Sequence, residues 1–229
     1  MPDIERRYLT ERVELRASDS GPGILAGYAA KFNRMSQNLG GFVEQVDPGA
    51  FTKSLADNLD VLARYNHDDN MLLGRTASGS VTLAVDEVGL RYDVTLPDTS
   101  VGRDVAVLAA RGDISQSSFA FVTHQDSWGE TESGMPLRTL IAVGLRDVAP
   151  VNTPAYLDTS AGLRSLADHA HAELEEVRKA AETGDLRKYL VPYLPAERGE
   201  EDPDTDEQRA THSAVSVLLR QRTWSDLRK

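Results

Sequence analysis

Apolar and polar residues alternate with a period of two along much of the chain before Pro154, the spacing that turns one face of a strand toward a core. Residues 8–16 read as an edge strand. Residues 24–32 read as a second strand, with Gly27 at a bulge or close approach. Residues 42–46 make a short strand. Asp47-Pro48-Gly49-Ala50-Phe51 then opens a helix to about residue 59, with an acidic N-cap and proline in its first turn. Residues 61–67 form a strand that ends in a polar cluster. Residues 72–76, 81–85 and 90–96 follow between Gly, Asp and Ser turns, as in a meander. Asp98-Thr99-Ser100 caps a helix over 101–110, stopped by Gly112. A buried strand runs from the serines after Gly112 to about Gln125, and a polar hairpin loop fills 126–135. Residues 137–143 and 145–151 make two strands or one bent one. From Ala161 the period changes. Leu163, Leu166, Ala170, Leu174 and Val177 form the stripe of an amphipathic helix reaching about Ala181. Many short strands with helices between them predict a mainly β, α+β fold, specifically a small closed β-barrel wrapped by helices.

Composition then shifts. Residues 197–207 carry seven acids and one arginine, too little apolar surface to offset the entropy of folding. The 229 residues therefore divide into a main domain over 1–165, with the barrel over about 20–160, a helical extension over 166–196, and an acidic tail over 197–229. The tail reads as disordered, with a short terminal helix at 214–219. No internal repeat is present.

The net charge of −11 argues against binding nucleic acid, which needs a basic face. No apolar run reaches the roughly 18 residues of a membrane span, and the first seven residues lack the apolar stretch of a secretory signal. No membrane partner is expected. Cysteine is absent, which removes disulfides, thiolate catalysis and cysteine-held metals. No phosphate-cradling glycine loop occurs, and no cofactor is expected.

The chemistry centres on Gly112-Asp113-Ile114-Ser115-Gln116-Ser117-Ser118-Phe119-Ala120-Phe121. Along a strand, Ser117, Phe119 and Phe121 share the greasy face, while Ser118 and Ala120 share the other. Small Ala120 leaves space beside Ser118, which suits a nucleophile. A serine needs a base, and the chain offers five histidines. His124 lies on the same strand, six residues or roughly 20 Å away. His169 and His171 lie on the outer helix, and His212 lies in the tail. His67, at a strand end in Arg64-Tyr65-Asn66-His67-Asp68-Asp69, is the remaining candidate. A serine–histidine pair needs a third group to hold the imidazole. Leu145-Arg146-Asp147-Val148-Ala149-Pro150-Val151 places one carboxylate, Asp147, inside an apolar strand, where it must be paired. Its partner is His67, or Arg146 or Arg138 in a structural ion pair. A metal at His67-Asp68-Asp69 lacks a second histidine at ligand spacing.

These segments, in this order, resemble the phage prohead protease family, the capsid-maturation serine proteases of tailed bacteriophages. The matching pieces are Asp47-Pro48-Gly49-Ala50-Phe51, Tyr65-Asn66-His67-Asp68 with Leu73-Gly74-Arg75, and Gly89-Leu90. Gly112-Asp113-Ile114 with Ser118-Phe119-Ala120-Phe121 comes next, and Asp147-Val148-Ala149-Pro150-Val151 with Pro154-Ala155-Tyr156 closes the set.

The resemblance implies a fold similar to the herpesvirus assemblin proteases and a Ser118–His67–acid triad. The family's acid is usually a glutamate in a Leu-x-Glu-Val segment. Asp147 stands there in this chain, one methylene shorter, and Ala120 stands where glycine is common. The implied function is a serine endopeptidase that cleaves scaffold or capsid-protein segments, and itself, during prohead maturation. The implied setting is the procapsid in the host cytoplasm. The implied partners are the major capsid protein and its scaffold segment, with a homodimer, as in the herpesvirus relatives, left open. Oxyanion donors are backbone amides or an arginine such as Arg138. The acidic tail is read as a docking or self-cleavage segment. Two other readings stay open at this point. One is a non-catalytic assembly or scaffolding protein on the same fold, and the other is a small-molecule esterase or amidase, although no Gly-x-Ser-x-Gly elbow occurs.

Overall fold

The computed structural model describes residues 3–19, 21–57, 60–152 and 160–190. Everything expected of the tail, and of Pro154-Ala155-Tyr156, lies outside the described residues.

Ten strands and four α-helices are described. The stretch predicted as one edge strand, 8–16, holds only the end of β1 (Glu5–Leu9) together with β2 (Glu14–Arg16). They part at residues 10–13 and enter different sheets. β3 (Ile24–Lys31) and β4 (Val43–Val46) follow as expected. The predicted 47–59 helix is mostly turn. The Asp47 carboxylate accepts from the Gly49 amide at 2.7 Å, a local bond that competes with helix. Only α1 (Thr52–Ala56) is helical. β5 (Leu62–Arg64) runs into a 3-10 turn (Tyr65–His67), and β6 (Leu72–Arg75), β7 (Val81–Val85) and β8 (Gly89–Thr95) come next. α2 (Ser100–Arg111) is capped by Thr99, whose hydroxyl accepts from the Gly102 amide, and it ends at Gly112 with φ 88. There glycine avoids the left-handed penalty.

β9 (Gln116–Glu130) and β10 (Pro136–Val151) form one long hairpin. The predicted 126–135 loop shrinks to its tip. Asp126 and Ser127 look like loop residues, but they pair with β10 in register and Asp126 has a buried partner in Arg138. β10 is the bent single strand, with register shifts at Leu140, Ala142 and Leu145.

The expected closed barrel is corrected to two sheets. Among the described residues, one sheet runs β1-β9-β10-β5-β6 with β4 also on β10, and the other runs β2-β3-β8-β7. No ladder closes them into a ring, although an isolated parallel bridge joins Phe32 to Val46. The meander breaks because the turn at Thr76–Ser78, with Gly79 at φ 74, carries the chain from the first sheet to the second. The core lies between the sheets. Leu25, Leu90, Tyr92 and Val94 from one meet Ala63, Phe119, Phe121, Leu145 and Val148 from the other. Each large apolar side chain buried there contributes about 1.5–3 kcal/mol.

The predicted 161–181 helix is two. α3 (Ser160–Ala170) and α4 (Leu174–Thr183) are separated at His171, whose φ is 51. The stripe survives the break. Leu163, Leu166 and Val177 pack with Leu39, Phe42 and Trp128 in a second cluster.

Candidate active site

Three neighbouring strands of the first sheet build the site. Ser118 lies on β9, Asp147 on β10, and His67 in the turn that leaves β5. The register places Ser118 opposite Ala149 and Asp147 beside Leu62. The register shift between Leu145 and Asp147 re-aims the acid, a common use of a bulge near a functional group. Asn66 and His67 both have positive φ, 55 and 59. That conformation is uncommon for residues with a Cβ but most tolerated by Asn and His. It turns the imidazole back over β10. The Asn66 side-chain oxygen accepts from the Asn152 amide at 3.1 Å and pins this turn to the end of β10.

The structure brings the three expected residues together. His67 Nε2 lies 2.6 Å from Ser118 Oγ, and His67 Nδ1 lies 2.5 Å from Asp147 Oδ1. With Nδ1–H donated to the carboxylate, Nε2 is free to accept a proton. The other carboxylate oxygen, Oδ2, accepts from Arg64 Nη1 at 3.1 Å. The same guanidinium also meets Asp69 at 2.9 Å. All three side chains are sheltered. Ser118 is 0% exposed and Asp147 3%, and the His67 side chain is 5% exposed. Low dielectric strengthens such contacts.

The neighbouring serine is placed differently. Ser117 Oγ lies 2.8 Å from the Tyr92 hydroxyl on the core face. Burial pushes the Tyr92 phenol well above its ordinary value, so this pair is a neutral core hydrogen bond. Face alternation on β9 therefore separates a serine with a base from one without.

Arg138 does not stand near Ser118. Its backbone lies opposite Trp128, well along β9 from Ser118, and its side chain reaches back to Glu5 and Thr123. Its guanidinium is 1% exposed. It donates to Glu5 at 2.7 Å, Glu44 at 2.9 Å and Asp126 at 2.6 Å. Arg7 joins the same cluster, donating to Glu44 and to Glu5, each at 2.8 Å. The expectation that Arg138 serves as an oxyanion donor, or as Asp147's partner, is thus corrected: its charge is fully used in this network.

Sequence reasoning missed Arg64 and Asn66 as site residues, although both stand in the run that carries His67. It also missed the backbone of β1. Tyr8 pairs with Ser118, and the Arg7 carbonyl oxygen lies 2.9 Å from Ser118 Oγ.

A buried serine joined through histidine to a carboxylate is the arrangement of a serine hydrolase. Residues 11–173 match the family model of the caudovirus prohead serine protease, and the chain belongs to that family. Among solved structures, the bacteriophage T4 capsid assembly protease, gp21, aligns with 65% of this chain and 95% of its own, at 15% identity and a TM-score of 0.43. No curated protein matches the chain.

Proposed function

We propose that this chain is the maturation endopeptidase of a phage prohead, with Ser118 as nucleophile, His67 as general base and Asp147 as the group that orients His67. The observation carrying this reading is the continuous contact Ser118 Oγ–His67–Asp147, at 2.6 Å and 2.5 Å. His67 Nε2 takes the Ser118 proton as Oγ bonds to a peptide carbonyl carbon, and the carbonyl electron pair moves to oxygen. The tetrahedral adduct then collapses. The C–N bond breaks and Nε2–H protonates the leaving amine. A water, deprotonated by the same nitrogen, attacks the acyl ester and releases Ser118. Asp147 keeps Nδ1 protonated and supports the imidazolium that forms twice per cycle.

The substrates in this reading are scaffold or capsid-protein segments and the protease itself, cut within the procapsid in the host cytoplasm. Family membership supports that setting. Residues 1–165 are the protease module, 166–196 an extension, and 197–229 a docking or self-cleavage tail. Active protease as a homodimer, and kinship with the assemblin proteases, belong to the same reading.

Intact mass followed over time, for the full chain and Ser118→Ala, with and without assembled capsid protein, tests it. Fragments from the unsubstituted chain alone are expected. No cleavage by either chain, with capsid assembly still dependent on the protein, would turn the reading to a scaffolding role.

A further inference from the structure

The Ser118 hydroxyl has one proton and two acceptors within reach. His67 Nε2 is 2.6 Å away and the Arg7 carbonyl oxygen 2.9 Å. When the proton points to Arg7, the 2.6 Å contact requires Nε2 to donate instead. Nε2 then holds its own proton and cannot accept the one on Ser118. Among the described residues, the strand carrying that carbonyl is the outermost of its sheet, paired only to β9 in the sheet order. We propose that β1 is a displaceable latch, and that the β9 edge it covers is the docking site for an extended substrate peptide. This rests on the protease reading above.

Three observations carry the proposal. First, the edge β1 fills is the one beside the nucleophile, with Leu9 opposite Ser117 and Tyr8 opposite Ser118. An incoming extended peptide would satisfy the same backbone groups of β9, as in strand addition generally. With β1 in place, Ser118 is 0% exposed. Second, β1 is held by charge. Its buried side chains are Glu5 and Arg7, one acid and one base. Their joint departure leaves Arg138 still bonded to Glu44 and Asp126, so no lone buried charge remains. Buried ion pairs contribute little net stability against their desolvation, which suits a contact that must both form and release. Third, a short exposed link separates β1 from the strand that follows it. Thr10 and Arg12 are exposed, Val13 is buried as an anchor, and β2 belongs to the other sheet. The region shared with the family begins at residue 11, after β1.

Two measurements on the full chain test this. The first uses Leu9→Cys with Ser117→Cys, facing positions whose Cα separation in an antiparallel pair, about 4.5–5.5 Å, admits a disulfide. Both side chains lie on the face away from Ser118, so the bridge tethers β1 without filling the site. The chain has no other cysteine. A fluorophosphonate reagent should label Ser118 at least about tenfold faster after reduction than in the oxidised form, a difference of ~1.4 kcal/mol. Equal rates in the two forms would overturn the latch. The second measurement is amide exchange in Ser118→Ala with and without the phage's capsid protein. Loss of protection across Glu5–Leu9, with β9 still protected, is expected. Unchanged β1 protection would overturn the latch. Opening of β1 without any labelling of Ser118 in reduced or unsubstituted protein would instead sink the protease reading and leave the docking edge standing.

Discussion

His67 Nδ1 and Asp147 Oδ1 are 2.5 Å apart across 80 positions of chain. The contact exists because β5 and β10 lie side by side and parallel, with Leu62 next to Asp147. If Asp147 holds the ring, Asp147→Asn should leave the fold intact and lower kcat by roughly 10³–10⁴-fold, the loss seen when a serine hydrolase's histidine takes the wrong tautomer. Single-turnover kinetics on a capsid-derived peptide would measure it. A loss of less than tenfold would remove Asp147 from the mechanism.

Arg64 holds the second oxygen of that carboxylate at 3.1 Å. A hydrogen bond to a charged group is worth about 1.5–3 kcal/mol. Arg64→Ala should therefore lower kcat by roughly 10- to 100-fold with KM little changed, and Arg64→Lys should recover part of it. A change confined to KM would show that Arg64 only meets substrate.

The turn at Asn66 and His67 can be separated into backbone and hydrogen bond. Asn66→Gly keeps the φ of 55 accessible but loses the bond to Asn152. Asn66→Ala loses the bond and must also adopt a left-handed conformation, at about 1 kcal/mol or more. Chemical denaturation should rank the unsubstituted chain above Gly and Gly above Ala. The reverse order of the two variants would assign the strain elsewhere.

The buried network should be costly to break at one point. Arg138→Met leaves Glu5 and Asp126 without their main partner, and removal of one member of a buried pair costs about 3–5 kcal/mol. A fall in the denaturation midpoint is expected, and an unchanged midpoint would show that water already reaches these groups.

Acid should loosen β1 first. Burial pushes the Glu5 carboxyl up, but the Arg138 hydrogen bond and charge, the Arg7 charge and the Thr123 hydroxyl together hold it below its ordinary value of 4.5. A lowered folded value contributes stability above the unfolded pKa, and that stability is lost as pH falls through the folded one. Protection of β1 amides should thus decline below about pH 4.5, and Glu5→Gln should flatten that decline.

Much of this site was legible in the residues. Alternation about Phe119 and Phe121 placed Ser117 and Ser118 on opposite faces, and a lone carboxylate in an apolar strand singled out Asp147. The division into two sheets was not legible, because strand partners are chosen by contacts far apart in sequence; the polar run Thr10-Glu11-Arg12 was read as part of one loosely alternating strand over 8–16. The ion network left no local trace either. Glu5, Arg7, Glu44 and Arg138 look like ordinary solvent-facing charges until three separate strands bring them together. Polar β9 residues were mistaken for loop for the same reason: Asp126 is polar because of Arg138, twelve positions on.

The long hairpin has a consequence for synthesis. His67 is translated early, Ser118 later, and the strand that carries Asp147 is complete only at Val151. A nascent chain still lacking β10 has neither the acid nor the strand that sits between β5 and β9. With Asp147 in the proposed role, the ribosome must therefore finish β10 before the first peptide bond is at risk. Chain order itself spaces synthesis from proteolysis, ahead of any control exerted by assembly.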